Sequence, residues 1–301
     1  MCQKQLMNNK QTLVYGSAKF GDVNYGFSSN SYSKSIDFNQ ILDTLKNHRI
    51  CSIDTSPRYG ISEKIIGNYH KKNPKFKIFS KVDNLKPNDK YSKIKIEKSI
   101  LESIKKLNVD FLDICFLHQN EIEIISDPYI QEGLNELRNK NLIKKIGVSI
   151  YNKHEFEYSL NSNIYESIQF PVNIFDTSLY NLYLNKYRDS NKELIARSIF
   201  LQGLGTSNIN FDNHSFYESI NTYRNKILDL TKKLDISIEA LSIAYLKTLK
   251  HITKFIIGSL SIKNIENNRS YFDINLDQEI IDNINLISNT NKVWSNPKKW
   301  S

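Results

Sequence analysis

A recurring pattern limits this chain more than any single motif. Short runs rich in β-branched and aromatic residues alternate with stretches whose apolar residues return at helical spacing. Strands are expected over residues 13–17, 50–55, 77–82, 111–118, 145–150, 167–173, 193–200 and 254–259. Helices are expected over 35–48, about 62–70, 91–107, 129–139, 153–160 and 179–190. After the seventh strand a long polar loop, 201–215, leads to helices over 216–234 and 237–249, and a last helix lies near 277–288. Eight strands alternating with helices predict an α/β fold, a (β/α)8 TIM barrel, over a doubly wound sheet. No Gly-x-Gly-x-x-Gly follows any strand, which counts against a Rossmann dinucleotide fold.

The 301 residues fit one large barrel, because such barrels run to roughly 250 residues as a single unit. No Pro-, Gly- or Ser-rich run divides the chain, which is therefore read as one domain over 1–301 with a tail from about 289. No apolar run approaches a membrane span, and the first ten residues lack the apolar stretch of a secretory signal. Three cysteines imply neither a disulfide framework nor a metal site, and Cys51 and Cys115, inside strand patterns, read as reduced, small apolar residues. These features predict a cytoplasmic protein with no membrane and no metal. The net charge of +9 does not predict nucleic-acid binding. The lysines lie mainly on solvated helical stretches such as 91–106, without aromatic platforms between them. A positive field would suit a phosphorylated cofactor or an anionic sugar nucleotide.

Four polar side chains fall at or just beyond the ends of three successive strands. Asp54 closes Ile53-Asp54-Thr55-Ser56-Pro57-Arg58-Tyr59-Gly60, Lys81 lies near the end of Ile78-Phe79-Ser80-Lys81-Val82, and His118 ends Leu112-Asp113-Ile114-Cys115-Phe116-Leu117-His118. Tyr59 is in the loop after the first of these. A parallel barrel keeps its chemistry at those strand ends. Taken singly, each residue is more simply a helix cap, a solvated charge or a packing ring. Strand parity adds weight to the set: if Asp54, Lys81 and His118 point inward, so do Ser52, Phe79, Ile114 and Phe116, leaving Cys51, Ile53, Ile78, Cys115 and Leu117 for the helix layer. Tyrosine, with an ordinary pKa of about 10, needs a nearby cation to act as an acid at neutral pH, and a buried Lys81 balanced by Asp54 would supply one.

As an ordered set, Asp-Thr-x-x-x-Tyr-Gly-x-Ser-Glu, then Ser-Lys-Val, then Leu-His resembles the aldo-keto reductase family, and the likeness runs from about residue 13 to 268. The resemblance implies carbonyl reduction by hydride from NADP(H) or NAD(H), with Tyr59 as general acid, Lys81 and Asp54 behind it, and His118 on the carbonyl oxygen. Gly147-Val148-Ser149 looks like the family's nicotinamide-carboxamide segment, with Ile150 in place of its asparagine, and Gln169 matches the partner glutamine. Arg197 stands where many members have a tyrosine stacked on the nicotinamide; its guanidinium plane could stack there, and a surface ion pair is an equal alternative. Ser198 and Leu201 are then expected as pyrophosphate neighbours through backbone donors.

In 257–268 Ser259 matches a phosphate contact and Asn268 an adenine contact, while Gly258 and Asn264 replace the basic 2′-phosphate clamp, so NAD use is expected beside NADP. Gly16 and Ser17, in the opening Gly-Ser-Ala-Lys-Phe-Gly, complete the cofactor set. That opening, with Tyr25-Gly26-Phe27, is similar to bacterial reductases of surface-polysaccharide and modified-sugar pathways. The expected substrate is therefore a small-molecule carbonyl, a sugar or sugar nucleotide, with Tyr25, Gln119, Trp294 and Trp300 at the rim and the loops and C-terminal tail over the catalytic mouth. Two rival readings are a redox-neutral sugar-modifying enzyme that retains its cofactor and a non-catalytic, cofactor-sensing barrel. Oligomeric state is not legible.

Overall fold

The computed structural model describes residues 11–21, 36–207, 209, 215–288 and 293–295. Its eight strands are β1 (Thr12–Gly16), β2 (Ser52–Asp54), β3 (Lys77–Val82), β4 (Leu112–Leu117), β5 (Ile143–Ser149), β6 (Ser167–Pro171), β7 (Glu193–Arg197) and β8 (Ile252–Ile257). Each pairs in parallel with the next, and β8 pairs with β1, closing the barrel. Outside them lie α1 (Phe38–Asn47), α2 (Ser62–His70), α3 (Ser92–Leu107), α4 (Ile122–Ile125), α5 (Pro128–Asn139) and α6 (Lys153–Asn161). The outer layer continues with α7 (Ser178–Lys186), α8 (Tyr217–Leu234), α9 (Ile238–Lys247), α10 (Ile262–Tyr271) and α11 (Gln278–Ser288).

Local chemistry sets several helix ends. The Asp37 side chain accepts from Gln40 N–H at the start of α1, Ser237 does the same for Ala240 at α9, and Asn152 and Glu155 form a reciprocal box at α6. Helix α3 stops where Asn108 turns left-handed, at φ 52°. Two helices were not expected: α4, too short to show a period, and α10, whose sequence read as a ligand-binding segment. Strand β7 ends earlier than expected because Ser198 and Leu201 both have positive φ, 56° and 43°.

The strands divide the apolar residues as parity requires. Val14, Phe79, Ile114, Phe116 and Ile195 fill the lumen as one small cluster, with Ile256 against it. Ile53, Ile78, Cys115 and Leu117 belong to the larger cluster between strands and helices. Cys115 is a buried free thiol, pushed up to about 12 by burial. Cys51 departs from expectation: it precedes β2 and is disulfide-bonded.

Below the luminal cluster, at the amino ends of the strands, Glu193 joins the Lys254 ammonium, the Lys145 ammonium at 3.2 Å and the Ser167 hydroxyl at 2.7 Å. Burial alone would raise the Glu193 carboxyl, but Lys254 and then Lys145 hold it below its ordinary value. A depressed folded pKa means that its stabilisation is complete above the unfolded pKa and is lost as pH falls through the folded one. Glu193→Gln is expected to cost about 2 kcal/mol near neutral pH, a figure reduced for partial exposure, and to flatten the acid limb of stability. Urea melts across pH check this, and an unchanged acid limb would remove Glu193 from that role.

Candidate active site

At the opposite, carboxyl ends of the strands a cavity of about 460 Å³ opens. Asp54, Tyr59, Lys81, His118, Ser149 and Gln169 all line it, so the structure brings together residues from five strand ends. Lys81 Nζ donates to Asp54 Oδ2 at 2.7 Å and to the Thr55 carbonyl at 2.9 Å. Asp54 Oδ1 accepts from Gln169 Nε2 at 2.8 Å, and Gln169 Oε1 faces the Ser149 hydroxyl at 3.3 Å. The two charged side chains are 1% and 5% exposed, so removal of either would strand the other without water.

The Tyr59 loop is fixed by backbone and small hydroxyls. Ser17, Thr55 and Ser62 form a buried hydroxyl chain that ends on the Asp54 carbonyl. Gly60 takes φ 53°, and a Cβ on Gly21 would fall 2.0 Å from the Tyr59 carbonyl, so the loop after β1 packs directly against the tyrosine. Lys81 Nζ lies 5.2 Å from the Tyr59 ring centre, and the His118 ring meets Tyr59 edge-on with centroids 6.4 Å apart. Burial, then Asp54, raises the phenol far above its ordinary value; Arg197 acts in the opposite direction. Lys81, the other nearby cation, is paired with Asp54.

Two residues that sequence reasoning passed over stand behind His118. Its Nδ1 is 3.1 Å from Asp83 Oδ2, and the same oxygen is 2.7 Å from Arg58 Nε. Asp83 follows Lys81 by two positions, where it reads as an ordinary loop carboxylate; only the convergence of three loops reveals its place.

Of the expected cofactor residues, Gly16, Ser149, Gln169, Arg197, Ser198, Gly258, Ser259, Asn264 and Asn268 line the cavity. Ser17 does not; its hydroxyl is spent on the Asp54 carbonyl. Leu201 is fully buried, and its N–H already donates to the Ser198 carbonyl at 2.8 Å. Arg197 forms no ion pair among the described residues: its guanidinium lies 3.9 Å over the Tyr151 ring and donates to the Ile150 carbonyl. Glu239, not anticipated, also lines the cavity, bonded to the backbone and hydroxyl of Ser207.

The rim residues fare differently. Gln119 clamps the Leu85 backbone in both directions and does not line the cavity. Trp294 is buried against Phe175 and Tyr223 and donates to the Ser219 hydroxyl at 2.9 Å, a packing position away from the cavity lining. Tyr25 and Trp300 fall outside the described residues.

Residues 12–289 match the Aldo/keto reductase family, and the chain belongs to it. It is an NAD(P)-dependent oxidoreductase of the carbonyl-reducing kind. It is similar to D-arabinose 1-dehydrogenase of Saccharomyces cerevisiae, 34% identical over 128 residues, a match covering 39% of this chain and 38% of that relative. It is also similar to the NADH-specific methylglyoxal reductase of Escherichia coli, 23% identical over 82% of this chain and 86% of the other. Among solved structures, aldo-keto reductase AKR11C1 from Bacillus halodurans, in its holo form, superposes with a TM-score of 0.73 at 20% identity, over 92% of this chain and 91% of that one. Among the described residues no group of side chains could hold a metal ion, and no helix is long and apolar enough to cross a membrane.

Proposed function

We propose that this chain reduces the aldehyde or ketone of a sugar or sugar nucleotide to an alcohol, with Tyr59 as the proton donor. The observation that carries the reading is the buried, fully satisfied Lys81–Asp54 pair directly behind a cavity-facing phenol. The nicotinamide cofactor supplies the hydride. The cavity suits it: Gly16 and Gly258 present bare backbone, with a Cβ at Gly258 only 2.4 Å from the Gly16 carbonyl, and Ser149 and Gln169 offer the donor and acceptor that a carboxamide needs.

The residues then divide the work. Tyr59 O–H points its proton toward the carbonyl oxygen, and the edge-on His118 ring fixes that oxygen beside it. Lys81, immobilised by Asp54 and the Thr55 carbonyl, keeps a positive charge near the phenol as its proton leaves. Gln169 holds the Asp54 carboxylate at the correct angle. Two relatives of the chain carry sugar names, D-arabinose 1-dehydrogenase and L-galactose dehydrogenase of Arabidopsis thaliana, which supports the sugar side of the reading. Consumption of NADH and NADPH against a panel of aldoses, keto-sugar nucleotides and methylglyoxal tests it. Higher kcat/KM for a sugar carbonyl is expected; no carbonyl-dependent consumption with any of them would overturn it.

Cofactor choice is a separate expected result. The segment 256–271 contributes no lysine or arginine to the cavity lining, and Arg269 is paired with Asp273 at 3.0 Å; besides Lys81 the lining cations are Lys19 and Arg197, and Glu239 adds a negative charge. Titration should therefore show NADPH favoured over NADH by less than about tenfold, or disfavoured. A thousandfold NADPH preference, about 4 kcal/mol, would mean that another cation rebuilds the clamp.

A further inference from the structure

Asp83 stands behind the carbonyl site with no role in the mechanism above, yet its surroundings are specific. Its side chain is 8% exposed, its Oδ1 accepts the Asn84 N–H at 2.7 Å, and its Oδ2 faces both His118 Nδ1 and Arg58 Nε. The Nδ1–Oδ2 distance of 3.1 Å is ion-pair contact, at an angle that gives no straight hydrogen bond. The attraction grows when the ring takes its second proton.

We propose that Asp83 is a positioning residue for carbonyl reduction: it fixes the His118 ring and favours its imidazolium form against burial, so that Nε2 can meet the substrate oxygen as a charged donor. The inference rests on the carbonyl-reductase reading of the site. The chemistry favours it. A ring whose Nδ1 proton faces a carboxylate would, when neutral, present a bare Nε2, which accepts and cannot donate. A carbonyl oxygen gaining negative charge needs a donor there, and a charged one is the stronger. Tyr59, held far above its usual range, also gains from a cation on the same oxygen.

Among the described residues, the following charged and titratable groups act on the ring. Burial and Lys81 disfavour the imidazolium, Asp83 and Asp54 favour it, Tyr59 touches it edge-on, and Arg58 partly neutralises Asp83 from behind. Burial is the largest of these effects and leaves the ring below its ordinary value, and Asp83 opposes that burial.

The sign of each variant follows. Asp83→Asn removes the attraction and should lower the His118 midpoint by about one pH unit, a tenfold loss of proton affinity. Arg58→Gln frees the Asp83 charge and should move the midpoint upward, and Asp83→Glu should return it toward the wild-type position. The His118 ring is followed by NMR titration of isotope-labelled protein, and in parallel the pH profile of kcat/KM is measured for methylglyoxal with NADH. In Asp83→Asn, activity should fall about tenfold at neutral pH and recover as pH drops. A His118 midpoint that ignores all three substitutions, or a rate profile scaled down with no displacement along pH, overturns the proposal. The opposite shift in Arg58→Gln tests it even if Asp83→Asn fails to fold. The NMR arm needs no turnover, so an enzyme inactive on every carbonyl would sink the functional reading while leaving the Asp83–His118 linkage decided.

Discussion

Tyr59→Phe is expected to lower turnover by about a hundredfold or more while leaving cofactor affinity within about twofold. The phenyl ring keeps the packing that Tyr59 makes: it still meets His118 edge-on and still lies near Lys81 Nζ. What disappears is the Tyr59 O–H, while the Asp54 network stays as it is. Cofactor affinity, read by fluorescence titration, should be spared because the expected carboxamide contacts, Ser149 and Gln169, are bonded to each other and to Asp54 and not to the phenol. A variant turning over at near the wild-type rate would take Tyr59 out of the role of acid. A large loss of cofactor affinity would instead mark it as a binding residue.

Lys81→Met should be comparably damaging, and it carries a second signature. Asp54 would remain buried with its Gln169 bond alone, an uncompensated carboxylate whose penalty is about 3 kcal/mol or more. Loss of turnover should therefore come with a lower melting temperature, which Tyr59→Phe should not show. The double change Lys81→Met with Asp54→Asn should regain much of the stability and none of the turnover. A single Lys81→Met protein as stable as the parent would mean that the pair contributes no net fixation, and the account of the site given above would fail with it.

The barrel was legible because its signals are periodic. Runs such as Lys77–Val82 and Leu112–Leu117 carry both the composition and the two-residue alternation of strands, and the parity argument correctly sorted Phe79 and Phe116 from Ile78 and Cys115. Element ends were less legible. Nothing in Ser198 or Leu201 announces positive φ, since neither residue type favours it, and β7 was read three residues too long. The meeting of Asp54, Lys81 and His118 was suggested by strand-end positions and parity, and the ordered set that resembles the family added Tyr59 to them. Asp83 and Arg58 were not suggested, because their significance depends on three loops arriving at one point. Trp294 illustrates the opposite error: a tryptophan in a tail suggests a ligand platform, whereas here burial and a bond to Ser219 occupy it.

The five apolar side chains that fill the lumen also act as an insulator. Above them sits the Asp54–Lys81 pair and below them the Glu193–Lys254–Lys145 cluster, two charged layers with no shared partner. Sites that share no partner combine their effects almost additively. The molecule is thus modular along its axis: the lower layer can be retuned for heat or acid tolerance, through Glu193 and its lysines, without retuning the upper one, and a lineage adapting to a harsher environment would have a route to do so that leaves the reaction alone.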